Sequence, residues 1–308
     1  IFITNLTKSR MVRYKLTAED VNMVNPRVVH VSLTGYGPRG PEADRPGFDF
    51  AAFWARSGIM GLIGEPGGSP LLCRPGQGDH TTSLNLLGAT LAALRLRDLT
   101  EEGQQVEVTL QGTGIWTIAN DITMSLMVPE QPKRHDREHP INPLWNTYEM
   151  ADKRWVLLVM PASDSYWPPF CEMLNVRSWI TDPRYDTLRH RSENSEELTH
   201  QVAARFIVHD SEYWAAQLDK FGMIWAPVAE IPEVTKDPQL AEMGAFTHVE
   251  SAKAGSQKIL NTPFTIRNAD VSVRGRAPTI GEHTADVLFE AGMTSDDVSE
   301  LAAKGVFG

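Results

Sequence analysis

A sharp turn that leads into a long uncharged helical stretch constrains this fold more than any other feature of the chain. Residues 76–79 read Gly-Gln-Gly-Asp, and residues 80–94 carry no acidic or basic side chain except one histidine. Leucines recur in that stretch at helical spacing, at positions 84, 87, 91 and 94. The pattern predicts a helix with Asp79 as its N-cap, on the backbone N–H groups and the positive end of the helix dipole. That location is expected to keep the Asp79 carboxylate ionised.

Two roles are open to Asp79 at this position. An ionised carboxylate between small residues can act as a nucleophile, since Gly76 and Gly78 let a second backbone or a bulky thioester approach it closely. The alternative is an ordinary N-cap aspartate at a tight turn. The local pattern by itself favours the N-cap, because capping is the commoner use of aspartate at a helix start.

Composition excludes several classes of partner. A formal net charge of −10 with no basic run argues against nucleic acid, so a few local arginines must bind any phosphate of a cofactor. The two cysteines, Cys73 and Cys171, cannot form a disulfide framework and indicate a reducing compartment. No stretch approaches the roughly 18 apolar residues of a membrane span, and the first residues lack the pattern of a signal peptide. We therefore expect a cytoplasmic protein with neither membrane nor nucleic-acid partners.

The order of apolar runs predicts an α/β fold. Residues 28–33 form a β-branched run typical of a buried parallel strand, and residues 106–110 and 155–159 predict two further strands. Helical patterns cover residues 17–24, 50–63, 80–98, 111–127, 164–175, 193–206, 211–221, 281–292 and 294–304. With 308 residues, the chain is long enough for two domains.

Two loops rich in glycine and proline indicate where a ligand binds. Residues 35–47 follow the carboxyl end of the predicted strand 28–33, which is where ligands bind in open α/β sheets. Residues 64–78 form the second loop and lead directly into Asp79. We therefore predict an active-site mouth at the start of the long helix.

Several further segments, taken in order and spacing with residues 76–79, resemble the class III coenzyme A transferases. These segments are residues 25–37, 38–41, 44–49, 103–108, 182–185, 226–228 and 281–284. The family includes formyl-CoA transferase and crotonobetainyl-CoA:carnitine CoA-transferase, with the α-methylacyl-CoA racemases as an isomerase branch. The resemblance runs from the first residues to the last, and the Gly-Asp-helix element is its most specific part.

The resemblance implies that Asp79 is the covalent nucleophile of a CoA-transferase. In that chemistry a carboxylate attacks an acyl-CoA thioester, forms a mixed anhydride and then an aspartyl-CoA thioester, and passes CoA to a second acid. Coenzyme A and acyl-CoA are therefore expected as substrates, together with carboxylic acids. No tightly bound cofactor is expected.

The resemblance also implies a domain organisation. A Rossmann-like large domain takes residues 1–135, a smaller α+β domain takes residues 136–237, and residues 238–308 return to the large domain; two chains interlock as a homodimer. The polar, proline-bearing segment 129–143 is the linker candidate. Because relatives extend further before the equivalent of Ile1, we expect this chain to be truncated at its amino-terminal end.

The same resemblance suggests residues that bind CoA. Arg45 and Arg39 lie on the 35–47 loop, where a guanidinium can pair bidentately with phosphate; the alternative is a solvated surface arginine. Arg13 and Tyr14 occupy the segment that flanks the CoA adenosine in relatives. The family's Asn-Phe-Arg-Pro-Gly signature in that segment reads Asn-Leu-Thr-Lys-Ser here. Gly78 is the fifth candidate, because it leaves room for the thioester.

No metal site is expected. His135 and His139 are four residues apart, as metal ligands on one helix would be, but they lie in a polar segment flanked by proline. That context favours a solvated linker.

Phe48 separates the two branches of the family. Racemases place a histidine in this segment as a base for the α-proton, and phenylalanine cannot take a proton. Asp49 is interpreted as a helix-capping residue rather than a second base. Two alternatives stay open at this point: a racemase-type isomerase on the same fold, and a non-catalytic acyl-CoA-binding subunit.

Overall fold

A three-stranded parallel sheet organises the first part of the chain. The computed structural model describes residues 1–251 and 255–307. The sheet has the order β1-β2-β3 and consists of β1 (Phe2–Thr4), β2 (Val29–Thr34) and β3 (Gln104–Thr109). Val31 pairs with Val106 across β2 and β3, and both are buried, as the β-branched pattern predicted.

Six α-helices and one π-helix accompany this sheet. They are α1 (Lys8–Tyr14), α2 (Ala18–Val24), the π-helix Asp49–Ala55, α3 (Ile59–Leu62), α4 (Gln77–Thr100), α5 (Leu110–Thr117) and α6 (Ala119–Met127). The helix predicted for residues 50–63 is split in two: the π-helix ends at Ala55, and α3 starts after Gly58, its N-cap, which has a φ of +94°. The helix predicted for residues 111–127 is likewise split, at Ile118. Helix α4 packs its Ala93 against the valines of β2 and β3.

A three-stranded antiparallel sheet follows, with the order β4-β5-β6. Its strands are β4 (Thr147–Glu149), β5 (Trp155–Leu158) and β6 (Trp225–Pro227), and its helices are α7 (Ser163–Met173), the 3-10 helix Arg177–Ile180, α8 (Leu188–Glu193), α9 (Ser195–Phe206) and α10 (Ser211–Lys220). We call the fully or almost fully buried rings between them the aromatic core: Tyr148, Trp167, Phe170, Tyr185, Phe206 and Trp214. The Phe206 ring stacks on Tyr148 and lies against Trp214.

The chain divides into two compact units, Ile1–Pro227 and Val228–Gly308. The second unit contains α11 (Ile231–Val234), α12 (Pro238–Glu242), the hairpin of β7 (Phe246–Ser251) and β8 (Gly255–Leu260), α13 (Thr284–Glu290) and α14 (Ser295–Ala303). The mixed α/β class is as predicted, whereas domain boundaries after residues 135 and 237 stay predictions. Among the described residues, no helix combines the length and the apolar character needed to cross a bilayer.

Candidate active site

A cleft of about 610 Å³ opens where the segments that follow the three parallel strands meet. Its wall comes from residues 5–10 after β1, from residues 33–36 and 43–49 at and after the end of β2, and from Leu110 after β3, with Asp79 beside them. Carboxyl ends of parallel strands share one edge of a sheet, which is why these segments converge. The 64–78 loop, all of which the structure describes, contributes no residue to this wall.

Asp79 lies in the first turn of α4, not at the N-cap that the sequence predicted. The helix begins at Gln77, because Gly76 takes a φ of +80° and its carbonyl oxygen accepts the His80 N–H at 2.9 Å. Asp79 is therefore the third helical residue. Its exposed side chain faces the cleft, so the carboxylate is accessible to a substrate.

Asp49 contacts Gly76, the residue that precedes α4. It is the first residue of the π-helix and only 5% exposed, and its Oδ2 accepts the Gly76 N–H at 2.6 Å. A Cβ on Gly78 would collide with Asp49 Oδ1 and with the Phe53 ring. The interpretation of Asp49 as a helix-capping residue is wrong, because the N-cap of the π-helix is Phe48 and the N-cap of α4 is Gly76.

The electrostatics of Asp79 differ from the expectation. Partial burial and then the negative charge of Asp49 raise the pKa of the Asp79 carboxyl, while His80 acts in the opposite direction. Burial and Asp49 therefore act against the stabilisation of the charged form that we expected from the helix start, while an ionised Asp79 stays a prediction. A more basic carboxylate is also a better nucleophile once it is ionised.

Arg45 is the predicted CoA ligand that the structure brings to the same cleft as Asp79. Its guanidinium donates to both oxygens of Glu42, at 2.8 and 3.1 Å, and lies 5.9 Å from the centre of the Tyr36 ring. Arg45 is thus held on the cleft wall by an exposed ion pair, which a phosphate can replace or share.

The other predicted CoA ligands lie outside the cleft wall. Arg39 pairs with Glu107 at 2.7 Å and borders a separate hollow of about 190 Å³. Arg13 lies at the end of α1 with its guanidinium 5.5 Å from the ring centre of the exposed Tyr14. Gly78 is buried against the π-helix, so its missing side chain makes room for Asp49 and Phe53.

Sequence reasoning missed one cation of the cleft wall, Arg10. Arg10 contributes to this wall one helical turn before Arg13, and the Ser9 N–H donates to Asp44 at 2.8 Å, which ties α1 to the 35–47 loop. A helical reading of residues 8–14 would have placed Arg10 with the candidate cations. Phe48 also borders the cleft and is 75% exposed, so it is not a core residue.

The two histidines of the linker candidate bind different partners. His135 Nε2 lies 3.1 Å from Asn146 Oδ1, while His139 contacts Asp136 and Glu196. Within residues 1–251 and 255–307, no group of three or more His, Cys, Asp or Glu side chains is arranged to hold a metal ion.

Comparison with known proteins places the cleft in a family context. A family model described as CoA-transferase family III matches residues 1–284. The (R)-2-hydroxy-4-methylpentanoate CoA-transferase of Clostridioides difficile is 29% identical over 302 residues, covering 98% of this chain and 75% of that protein. The cinnamoyl-CoA:phenyllactate CoA-transferase of Clostridium sporogenes is 25% identical over 308 residues, covering 98% and 74%.

A solved structure shows the same fold. The crystal structure of a CAIB/BAIF family protein from Brucella suis superposes with a TM-score of 0.82 at 27% identity, over 94% of this chain and 74% of that one. This chain therefore spans about three quarters of the length of these three proteins.

Proposed function

Because the chain belongs to CoA-transferase family III, as its motifs predicted, we propose that it moves coenzyme A between two carboxylic acids through a covalent intermediate on Asp79. Its relatives establish it as a class III CoA-transferase; the covalent route and the residues that carry it are the proposal. The observation that supports the route is the exposed Asp79 carboxylate, with its raised pKa, in the first turn of α4 and on the cleft wall.

Each step of the reaction is a displacement at a carbonyl carbon, in which one anion, a carboxylate or a thiolate, replaces another. An Asp79 oxygen attacks the thioester carbonyl carbon, the C–S bond breaks, and CoA thiolate leaves with the negative charge. The thiolate then attacks the Asp79 carbonyl carbon of the mixed anhydride, which releases the first acid as a carboxylate and leaves an aspartyl-CoA thioester. The second acid repeats both steps in reverse. No proton is transferred, so a carboxylate is sufficient as the nucleophile.

Backbone N–H groups stabilise the oxyanions in this proposal. The first turn of an α-helix has donors without intrahelical acceptors, at the positive end of the dipole. In α4 the Gly76 N–H is already taken by Asp49, which leaves the N–H groups of residues 77–79 for a ligand. These donors adjoin the Asp79 carboxylate, where charge develops in each step.

CoA is held as a substrate, with Arg45 as its principal phosphate ligand. Arg45 shares the cleft with Asp79, and Arg10 adds a second cation to the same wall. Arg39, Arg13, Tyr14 and Gly78 stay predictions, the first three for the part of CoA farthest from the thioester.

The cleft wall near Asp79 favours the binding of carboxylic acids with apolar chains. Phe48 and Leu110 border the cleft, and Phe48 is 75% exposed. The two named relatives act on a branched 2-hydroxy acid and on cinnamoyl and phenyllactate groups, which are also largely apolar. Phe48 cannot serve as a second base, which is why we propose a transferase rather than a racemase-type isomerase.

A homodimer is the proposed assembly. Three of the four leucines that predicted the long helix, Leu84, Leu87 and Leu91, are between 42% and 56% exposed. Their spacing of three and four residues puts these leucines on one side of α4, which we call the leucine face; Trp116, Leu126 and Met127 on α5 and α6 are exposed as well. An apolar surface of this kind is uncommon on a monomer, and a second copy of the chain is its proposed cover.

Trapping tests the covalent route. Hydroxylamine added during turnover attacks an acylated Asp79 and leaves a hydroxamate, which mass spectrometry finds on the peptide that contains residues 78–80. A matched sample without acyl-CoA controls for non-specific labelling. Label on another carboxylate, or none during active turnover, would contradict the assignment of Asp79.

A further inference from the structure

Asp49 is a buried carboxylate without a cation. It is 5% exposed, its Oδ1 meets no hydrogen-bond donor among the described residues, and no Lys, Arg or His there forms an ion pair with it. Burial of an unpaired carboxylate is unfavourable for folding. The presence of such a group beside the candidate site therefore points to a role there.

The contacts of Asp49 all lead to the start of α4. Oδ2 accepts the Gly76 N–H, and Oδ1 and the Phe53 ring fill the space that a side chain on Gly78 would need. Asp49 and Asp79 border the same cleft. The negative charge of Asp49 raises the pKa of Asp79 and also that of the Cys73 thiol, so it acts on both sides of the helix start.

We propose that Asp49 is a positioning residue for the reaction at Asp79, fixing the first turn of α4 through Gly76 and placing a second negative charge next to the nucleophile. This inference rests on the proposed function of Asp79. It concerns a residue that does not touch the substrate's reacting carbon and acts through its neighbours.

The second charge favours the covalent intermediate. When Asp79 attacks a thioester, its negative charge leaves on the CoA thiolate, and the acylated Asp79 is neutral. Two adjacent carboxylates become one, so the repulsion from Asp49 is relieved in the step that forms the anhydride. The other charged groups around Asp79 are His80 on its own helix and Arg10, Asp44 and Arg45 on the cleft wall.

Asp49→Asn separates charge from shape. The amide oxygen can still accept the Gly76 N–H, while the negative charge is gone. Because the charge of Asp49 adds to burial in raising the Asp79 pKa, its removal lets Asp79 ionise at lower pH, and the acid limb of kcat/KM moves to lower pH. The kcat at the plateau falls by roughly three- to tenfold, and KM for acyl-CoA changes by less than about twofold.

Asp98→Asn is the matched control. It removes the same charge from the last turn of α4, about 30 Å from Asp79 at 1.5 Å per residue. It should leave both the acid limb and kcat unchanged. Asp49→Ala removes the charge and the acceptor for Gly76, so its kcat should fall below that of Asp49→Asn.

Hydroxylamine trapping on the wild-type protein tests Asp79 as the nucleophile independently of the role of Asp49. If wild type is labelled on Asp79 but Asp49→Asn keeps both kcat and the acid limb, the role of Asp49 is wrong and the proposed function stands. If wild type is active without label on Asp79, the proposed function fails and this inference with it. If neither Asp49 variant folds, the pH dependence of wild-type kcat/KM is the remaining test. A midpoint of its acid limb at or below about 3.9, the ordinary value for aspartate, would overturn the inference.

Discussion

The aromatic core and the leucine face lie in the same unit and use their apolar side chains in opposite ways. The rings of the aromatic core are at most 3% exposed and pack against one another, so this part of the chain completes its own interior. On α4, Leu91 is 56% exposed, and Trp116 on α5 is 78% exposed. The candidate site stands at the start of α4, on the open side. In our proposals, chemistry and assembly therefore share one region of the unit, while the aromatic core stabilises the other.

The largest expected effect is a loss of turnover when the candidate nucleophile at the start of α4 is replaced. Asp79→Asn should lower turnover by roughly a thousandfold or more, since an amide cannot form the anhydride. A carboxyl whose pKa is raised in the folded state lowers stability as pH rises through that pKa, so at neutral pH the neutral amide should leave Tm unchanged or slightly higher. Steady-state kinetics and a thermal melt check both parts. Retention of most of the activity would show that Asp79 is not the nucleophile.

The aromatic core should respond in stability. Phe206→Ala removes a fully buried ring between Tyr148 and Trp214 and should lower the free energy of unfolding by about 3–5 kcal/mol. Urea titration measures this loss. The oligomeric state should not change, because this core is complete within one chain. A variant that unfolds no more easily than wild type would contradict the picture of a sealed core.

The leucine face should respond in assembly. Leu91→Glu places a charge on this face and should convert a dimer into a monomer, whereas light scattering on wild type should give about twice the 34.3 kDa chain mass. Phe206→Ala is the control that perturbs packing elsewhere. A wild-type monomer, or a Leu91→Glu dimer as tight as wild type, would show that a second copy of the chain does not cover the leucine face.

A smaller effect is expected in substrate binding. Arg45→Ala should raise KM for acyl-CoA by roughly tenfold, since a charge-assisted hydrogen bond to phosphate contributes about 1.5–3 kcal/mol. Arg184→Ala is the matched control, because Arg184 is equally an ion-paired surface arginine but lies beside the aromatic core, paired with Asp182 and Glu197. An equal rise in KM for both variants would argue against a specific phosphate contact.

The smallest effect concerns the two thiols. Burial raises the pKa of Cys171, in the aromatic core region, to about 12, and the residue is fully buried. The pKa of Cys73 is also raised, by burial and by Asp49, but part of this residue is accessible. Cys73 should therefore react first with a thiol reagent, and Cys171 only after unfolding. Peptide mapping after timed labelling measures the order, and early labelling of Cys171 would show that the core is open.

Local patterns were enough for several elements of the fold. The β-branched run at 28–33 became a buried parallel strand and residues 294–304 became α14, because strand and helix periods are properties of neighbouring residues. Motif order was enough for the family. Spacing also located the long helix, although its first residue is Gln77 rather than a residue after Asp79, since a positive φ at Gly76 starts the turn earlier.

The sequence by itself therefore determined the family, two of the three parallel strands, the long helix and Asp79 as the candidate nucleophile. Tertiary structure decided what surrounds that carboxylate. Asp49 binds Gly76 from 27 positions away in the chain, and Arg39 pairs with Glu107 outside the cleft. The leucines of the leucine face are exposed, although Leu86 and Leu94 of the same helix pack against the sheet. Periodicity and motif spacing describe residues that are close in sequence. The charge next to a nucleophile, the partner of an arginine and the cover of an apolar face depend on which distant segments fold against each other.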